Sequence, residues 1–171
     1  MDIEQTLLEG NQRYINKINK DNNKKTHLQE LVKGQSPYAL IITCSDSRVV
    51  PELIFDEVEG SLFVIRSAGN VINEGELASI EYGIAHLHIK YVLVLGHTHC
   101  GAVNAAMHHE QGQYLDPILS KIEHSLCATE LETTKANALA QVKYIKERFP
   151  DYDGIVAAGI YDIESNRVEI I

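Results

Sequence analysis

Tyr38-Ala39-Leu40-Ile41-Ile42-Thr43 runs straight into Cys44-Ser45-Asp46-Ser47-Arg48, and Tyr91-Val92-Leu93-Val94-Leu95 into Gly96-His97-Thr98-His99-Cys100-Gly101. Both leading runs are continuous stretches of β-formers, the pattern of strands buried on both faces. If they are neighbouring parallel strands, the two polar clusters emerge at the same carboxyl edge of a sheet. That edge is where open α/β folds place their sites. Two thiols and an imidazole then converge.

Further β-runs at 61–66 and 154–160 are spaced to leave room for crossover helices, which predicts an α/β fold with a mainly parallel central sheet flanked by helices. The last run, Arg167 to Ile171, follows the turn-like Glu164-Ser165-Asn166 and is expected to pair antiparallel at the sheet edge. Residues 2–18 read as a helix and Lys20 to Lys25 as a polar loop. The segment 74–88 carries Leu77, Ile80, Ile84 and Leu87 on one face, with Asn73 and Glu76 placed as a capping pair. Residues 130–149 carry Ala138, Val142, Ile145 and Phe149 in the same way, stopped by Pro150. There is no internal repeat. A single domain over 1–171 is expected, with an amino-terminal helical arm at 1–36 and an α/β core at 37–171.

Cys44, His97 and Cys100 make a Cys₂His set. Zinc favours such ligands, and three protein donors leave a fourth tetrahedral position for water or substrate, as in catalytic rather than structural sites. His97 is favoured over His99 because an i, i+3 pair with Cys100 can close around one ion at a strand-to-helix turn. Cys127, in a helical-looking stretch from Ile118, has no partner at ligand spacing. Three cysteines are too few for a disulfide framework, and free cysteines are often small buried hydrophobes. Asp46 lies two positions beyond Cys44, where a carboxylate can accept a hydrogen bond from metal-held hydroxide. Arg48 can keep that carboxylate ionised through a charge-assisted pair. His86 and His88 near a helix end, and His108 and His109 before a polar loop, read as surface or helix-end residues.

These segments resemble the β-class carbonic anhydrases. The matching stretches are Cys44-Ser45-Asp46-Ser47-Arg48-Val49, Gly60 to Asn70, Glu81-Tyr82-Gly83, Gly96 to Gly101, and Gly159-Ile160-Tyr161-Asp162 with Arg167-Val168. They run in the family's order from about Lys33 onward. The resemblance implies one zinc ion per chain on Cys44, His97 and Cys100, with Asp46 and Arg48 as a catalytic dyad. It matches Gln35 to a glutamine that donates to substrate from a partner subunit. Phe63, Ala68 and Tyr82 match the apolar side of the pocket, and Gly101 matches the amide beside the metal. The implied reaction is reversible hydration of carbon dioxide to bicarbonate and a proton, by zinc-bound hydroxide that the dyad orients. Carbonyl sulfide or carbon disulfide hydrolysis is the alternative within the family, and a zinc-holding regulatory module without turnover the alternative outside enzymes. A homodimer or an assembly of dimers is implied.

Two positions depart from the family pattern. Ser67 stands where Asn is common in Arg-Asn-Ala-Gly-Asn. Ile41 occupies the place of a tryptophan found in bicarbonate-regulated members, and the chain has no tryptophan; Arg66 matches another part of that pocket.

A net charge of −9 gives no support for nucleic-acid or anionic-membrane binding. Lys17, Lys20, Lys24, Lys25 and Lys33 read as a solvated helix face and loop. No apolar stretch approaches the roughly 20 residues of a membrane span. A chain of 171 residues buries close to about 70% of its unfolded surface, enough for a core without disulfides. Met1 to Thr6 lacks the basic and apolar regions of a secretory leader, and free thiolate ligands suit a reducing compartment, so cytoplasm is the expected location.

Overall fold

The computed structural model describes residues 2–171. The chain divides into two compact units between Gln35 and Ser36. The first holds α1 (Ile3–Lys20) and α2 (Asn22–Leu31), neither with a buried residue. α1 starts at Asp2, whose side chain accepts from the Gln5 amide at 3.2 Å. The expected loop at Lys20 to Lys25 is a correction: only Asp21 interrupts the helix, and its carboxylate accepts from the Lys24 amide at 3.1 Å to start α2. This helix has almost no apolar stripe, so periodicity cannot reveal it; its visible sign is the N-capping Asp21.

In the second unit, β1 (Ala39–Cys44), α3 (Pro51–Ile54), β2 (Leu62–Ser67) and a 3₁₀ turn (Ala68–Asn70) come first. They are followed by α4 (Glu74–Ala85), β3 (Tyr91–His97), α5 (Gly101–Met107), α6 (Asp116–Glu123), α7 (Glu130–Arg148), β4 (Ile155–Asp162) and β5 (Arg167–Ile170). The sheet order is β2-β1-β3-β4-β5. The first four strands are parallel, and β5 closes the edge antiparallel to β4, with Tyr161 opposite Val168. The fold class, the five strands and the antiparallel edge agree with the expectation from the β-runs.

All six residues of β1 are buried, which explains its unbroken apolar run. Even-numbered strand residues, Leu40, Ile42, Val92, Val94, Val156 and Ala158, share one core with Ile80 of α4 and Ala138, Val142 and Ile145 of α7. Odd-numbered residues, Ala39, Ile41, Leu93, Leu95 and Tyr161, pack on the other face with Val49, Ile54 and Phe55. Full burial of a Leu or Ile side chain stabilises by about 1.5–3 kcal/mol, so Leu40, Ile42 and Leu95 alone anchor the two central strands. Thr43 enters this core without penalty because its hydroxyl donates to the Leu95 carbonyl at 2.8 Å.

Asn73 and Glu76 do cap α4, the Asn73 amide donating to Glu76 Oε2 at 2.9 Å. The helix stops at Ala85 rather than 88. The chain reverses there through His88 at φ 55°, and the Ile89 amide donates back to the Gly83 carbonyl at 3.1 Å. Likewise α6 ends at Glu123, so Cys127 lies outside any helix and is exposed, against the helical reading of 118–127. α7 begins on Thr129, which forms a capping box with Glu132. No helix among the described residues is long and apolar enough to cross a membrane.

Candidate metal centre

β1 and β3 are hydrogen-bonded neighbours, so their last residues, Cys44 and His97, reach the same edge of the sheet. The chain then turns through Thr98 and His99, the latter at φ 57°, and Cys100 becomes the residue that starts α5. The Cys44 and Cys100 sulfurs stand 4.0 Å apart, and these with a ring nitrogen of His97 lie within 4.8 Å of one another. All three side chains are buried.

The tautomer of His97 follows from its neighbour. Nδ1 lies 2.9 Å from the Thr98 carbonyl, which can only accept, so Nδ1 carries the proton and Nε2 presents a lone pair. That Nε2 is buried and has no hydrogen-bond partner among the described residues. A buried acceptor left unmet costs about 1–3 kcal/mol. A cation answers it.

The thiols pose the complementary problem. Cys44 is drawn well below the ordinary thiol range, first by the hydrogen bond from Cys100 and also by the amides of Asp46 and Gly69, at 3.4 and 3.3 Å from its sulfur. Cys100 is pushed up by that same hydrogen bond, by burial and by the charge on Cys44. Without a counter-ion only one of the pair is comfortably ionised; a doubly charged ion lets both be thiolates. The donor set, the orphaned nitrogen and the thiol pair all fit zinc.

Asp46 and Arg48 form a bidentate pair beside this cluster. Arg48 Nε donates to Asp46 Oδ1 at 2.9 Å and Nη2 to Oδ2 at 2.7 Å, while the Arg48 amide adds a bond to Oδ1 at 2.9 Å. The Arg48 side-chain bonds hold the Asp46 carboxyl far below the usual carboxylate range, so it is ionised throughout neutral pH. Arg48 Nη2 also donates to the His99 carbonyl at 3.0 Å, tying the two motif loops together. Arg66, on β2, clamps the first loop: Nε donates to the Cys44 carbonyl at 3.2 Å, and Nη2 to those of Asp46 and Val49 at 2.7 and 2.8 Å.

The remaining expected residues are distributed unevenly. Ala68 precedes Gly69, whose amide reaches Cys44, and Gly101 directly follows Cys100, where an added Cβ would meet nothing within 4 Å. Phe63 and Tyr82 pair with each other, ring centroids 6.1 Å apart, but not with the centre. Phe63 is in register with Leu40 and Ser67 with Cys44. Those four residues of strand put Phe63 roughly 13 Å along the sheet from Cys44. Gln35 ends the other unit. His99 turns to Glu164, 3.1 Å away, and His86 packs on Tyr82, so neither joins the cluster. His108 and His109 are engaged by the Asn104 carbonyl and by Glu123. Reading by motif missed Glu130, which accepts from the Cys100 amide at 3.0 Å. The available signal was its place in the first turn after Thr129.

The model of the carbonic anhydrase family matches residues 39–166, three quarters of the chain, spanning both motif loops. The chain belongs to the β-carbonic anhydrase family. It is 33% identical over 172 residues to a carbonic anhydrase of Pseudomonas aeruginosa, covering 84% of this chain and 77% of that protein. Carbonic anhydrase 2 of Mycobacterium tuberculosis is 45% identical over 102 residues, 59% of this chain. That match spans 49% of the mycobacterial protein, about half its length. The β-carbonic anhydrase CafA of Aspergillus fumigatus superposes with a TM-score of 0.88 at 27% identity, covering 99% of this chain and 91% of the fungal one. In this β-carbonic anhydrase family chain, metal analysis of purified Cys44→Ser, His97→Ala and Cys100→Ser should each show loss of most of the metal, about 10-fold or more in occupancy at limiting zinc. His99→Ala should keep it. Full metal in His97→Ala with loss in His99→Ala would contradict the assignment.

Proposed function

We propose that this chain is a zinc-dependent carbonic anhydrase that converts carbon dioxide and water reversibly to bicarbonate and a proton. The observation that carries this is the orphaned His97 Nε2 facing two thiols, with the bidentate Asp46–Arg48 pair on the adjoining loop. Cys44, His97 and Cys100 would hold one zinc per chain. When bound, zinc supplies a Lewis acid that allows water to ionise near neutral pH.

Asp46 supplies orientation. Oδ1 is occupied by Arg48 Nε and the Arg48 amide, while Oδ2 takes Nη2 and retains a lone pair. A proton accepted there aims the attacking oxygen lone pair at the carbon of carbon dioxide. As the new C–O bond forms, one C=O π pair moves onto its oxygen to give bicarbonate, and the proton lost from water passes to buffer. Arg48 keeps Asp46 an acceptor, because a protonated carboxyl would donate and turn the oxygen the wrong way. The pairing holds that state across neutral pH, so a rise of activity with pH above neutrality reports ionisation of the attacking water and not titration of Asp46.

The apolar wall requires a second copy. Phe63 lies too far along the sheet to line this chain's own centre, and Tyr82 of α4, which pairs with it, is exposed. α1 exposes Ile3, Leu7 and Leu8, and Leu53 and Val58 are exposed as well. A homodimer, or an assembly of dimers, in which each copy lends Phe63, Tyr82 and Gln35 to the other's pocket answers both facts. The paired thiols suit the reducing cytoplasm.

Stopped-flow hydration of carbon dioxide, set against sulfide release from carbonyl sulfide and carbon disulfide, tests the reaction. The parent should hydrate carbon dioxide, and Asp46→Asn should keep its zinc while losing about 100-fold or more in rate. Faster sulfide release with negligible hydration would make the chain a hydrolase of those compounds. Full zinc with no turnover of any of the three would make it a binding module. Light scattering on the same preparation should find dimers or their multiples; a fully active monomer would contradict the shared pocket.

A further inference from the structure

α7 buries two different stripes. Ala138, Val142 and Ile145 pack into the sheet core, as an amphipathic helix should. Thr133, Thr134, Asn137 and Gln141 are equally buried yet polar. Buried amides are costly unless bonded, so their partners matter. Gln141 Oε1 accepts from the Ile72 amide at 3.0 Å, Gln141 Nε2 donates to Asn137 Oδ1 at 3.2 Å, and Asn137 Nδ2 donates to the Gly69 carbonyl at 2.8 Å.

The direction of this relay is forced at both ends. A backbone amide can only donate and a carbonyl only accept, so Ile72 fixes Gln141 oxygen-first, and Gln141 in turn fixes Asn137 with its NH₂ toward Gly69. Gly69 itself sits at φ 63°, and a Cβ there would come within 2.8 Å of Ile122 of α6. The residue is therefore pinned between α6 on one side and Asn137 on the other. Its amide is one of the two that donate to the Cys44 sulfur, at 3.3 Å.

We propose that Asn137, held by Gln141, is a positioning residue of the metal centre: by anchoring the Gly69 carbonyl it holds the Ala68–Asn70 turn, so that the N–H of the preceding Ala68–Gly69 peptide stays aimed at the Cys44 sulfur. The inference rests on the reading of Cys44 as a metal ligand. Loss of the clamp frees the Ala68–Asn70 turn to rotate, and the thiolate loses a hydrogen bond that both fixes its direction and tempers its charge.

The experiment compares the parent chain with Asn137→Leu, Gln141→Met and Val142→Ala. The last alters the apolar stripe of the same helix and serves as a control for general destabilisation. Two quantities are read for each: the rate of zinc release to a chelator, and the thiolate-to-cobalt charge-transfer absorption after cobalt replaces zinc. Asn137→Leu should release zinc about 10- to 100-fold faster and shift the absorption band, with Gln141→Met changing both in the same direction by less. Val142→Ala should lower the melting temperature without moving the band. Parent-like release and an unshifted band in folded Asn137→Leu and Gln141→Met would overturn the proposal, as would zinc loss that simply follows melting temperature across all three variants. Should Asn137→Leu not fold, Gln141→Met against Val142→Ala decides alone. A parent chain that takes up no zinc overturns the reading of the centre instead.

Discussion

Two sulfurs 4.0 Å apart in a buried setting cannot both carry charge unaided, and the rest of the molecule is arranged around that conflict. In a site of low dielectric, repulsion between like charges at such a separation amounts to several kcal/mol. The hydrogen bond from Cys100, with those from two amides, favours ionisation at Cys44, and the same bond and burial push Cys100 the other way. His97 contributes a third donor atom that has no hydrogen-bond partner among the described residues. The site is thus balanced for a divalent cation. Water could satisfy the imidazole, but it would leave the thiol pair unresolved.

Holding the three donors together is a task for the sheet and for hydrogen bonds to the backbone. Parallel pairing of β1 with β3 brings Cys44 and His97 to one edge, and the start of α5 returns Cys100 to the same place. Arg66 pins the loop after β1 through three carbonyls, Arg48 joins it to the loop after β3, and Glu130 holds the Cys100 amide. Each of these bonds involves a charged side chain and a backbone group, a type stronger than a neutral pair. The same Arg48 that ties the loops also keeps Asp46 ionised. Architecture and chemistry therefore share one guanidinium.

Much of this was legible in the residues. The β-runs before Cys44 and Gly96 disclosed a parallel sheet because strands buried on both faces need continuous apolar sequence, and the i, i+3 spacing of His97 and Cys100 pointed to a shared ion. Asn73 with Glu76, and Pro150, marked helix boundaries through capping and ring geometry. What escaped has a common cause. α2 carries almost no apolar stripe, and α3 and α5 are too short for a periodicity to develop. Glu130, Asn137 and Gln141 act through backbone atoms remote in sequence, and such contacts leave no local pattern. Phe63 and Tyr82 were grouped with the pocket by resemblance, yet the strand register separates Phe63 from the centre of its own chain, and Tyr82 packs on Phe63.

X-ray absorption at the zinc edge of the loaded protein addresses the metal centre most directly. The account predicts two sulfur scatterers at about 2.3 Å, with the remaining nitrogen and oxygen neighbours at about 2.0–2.2 Å. A first coordination sphere with fewer than two sulfurs, or with three, would contradict a centre built on Cys44, His97 and Cys100.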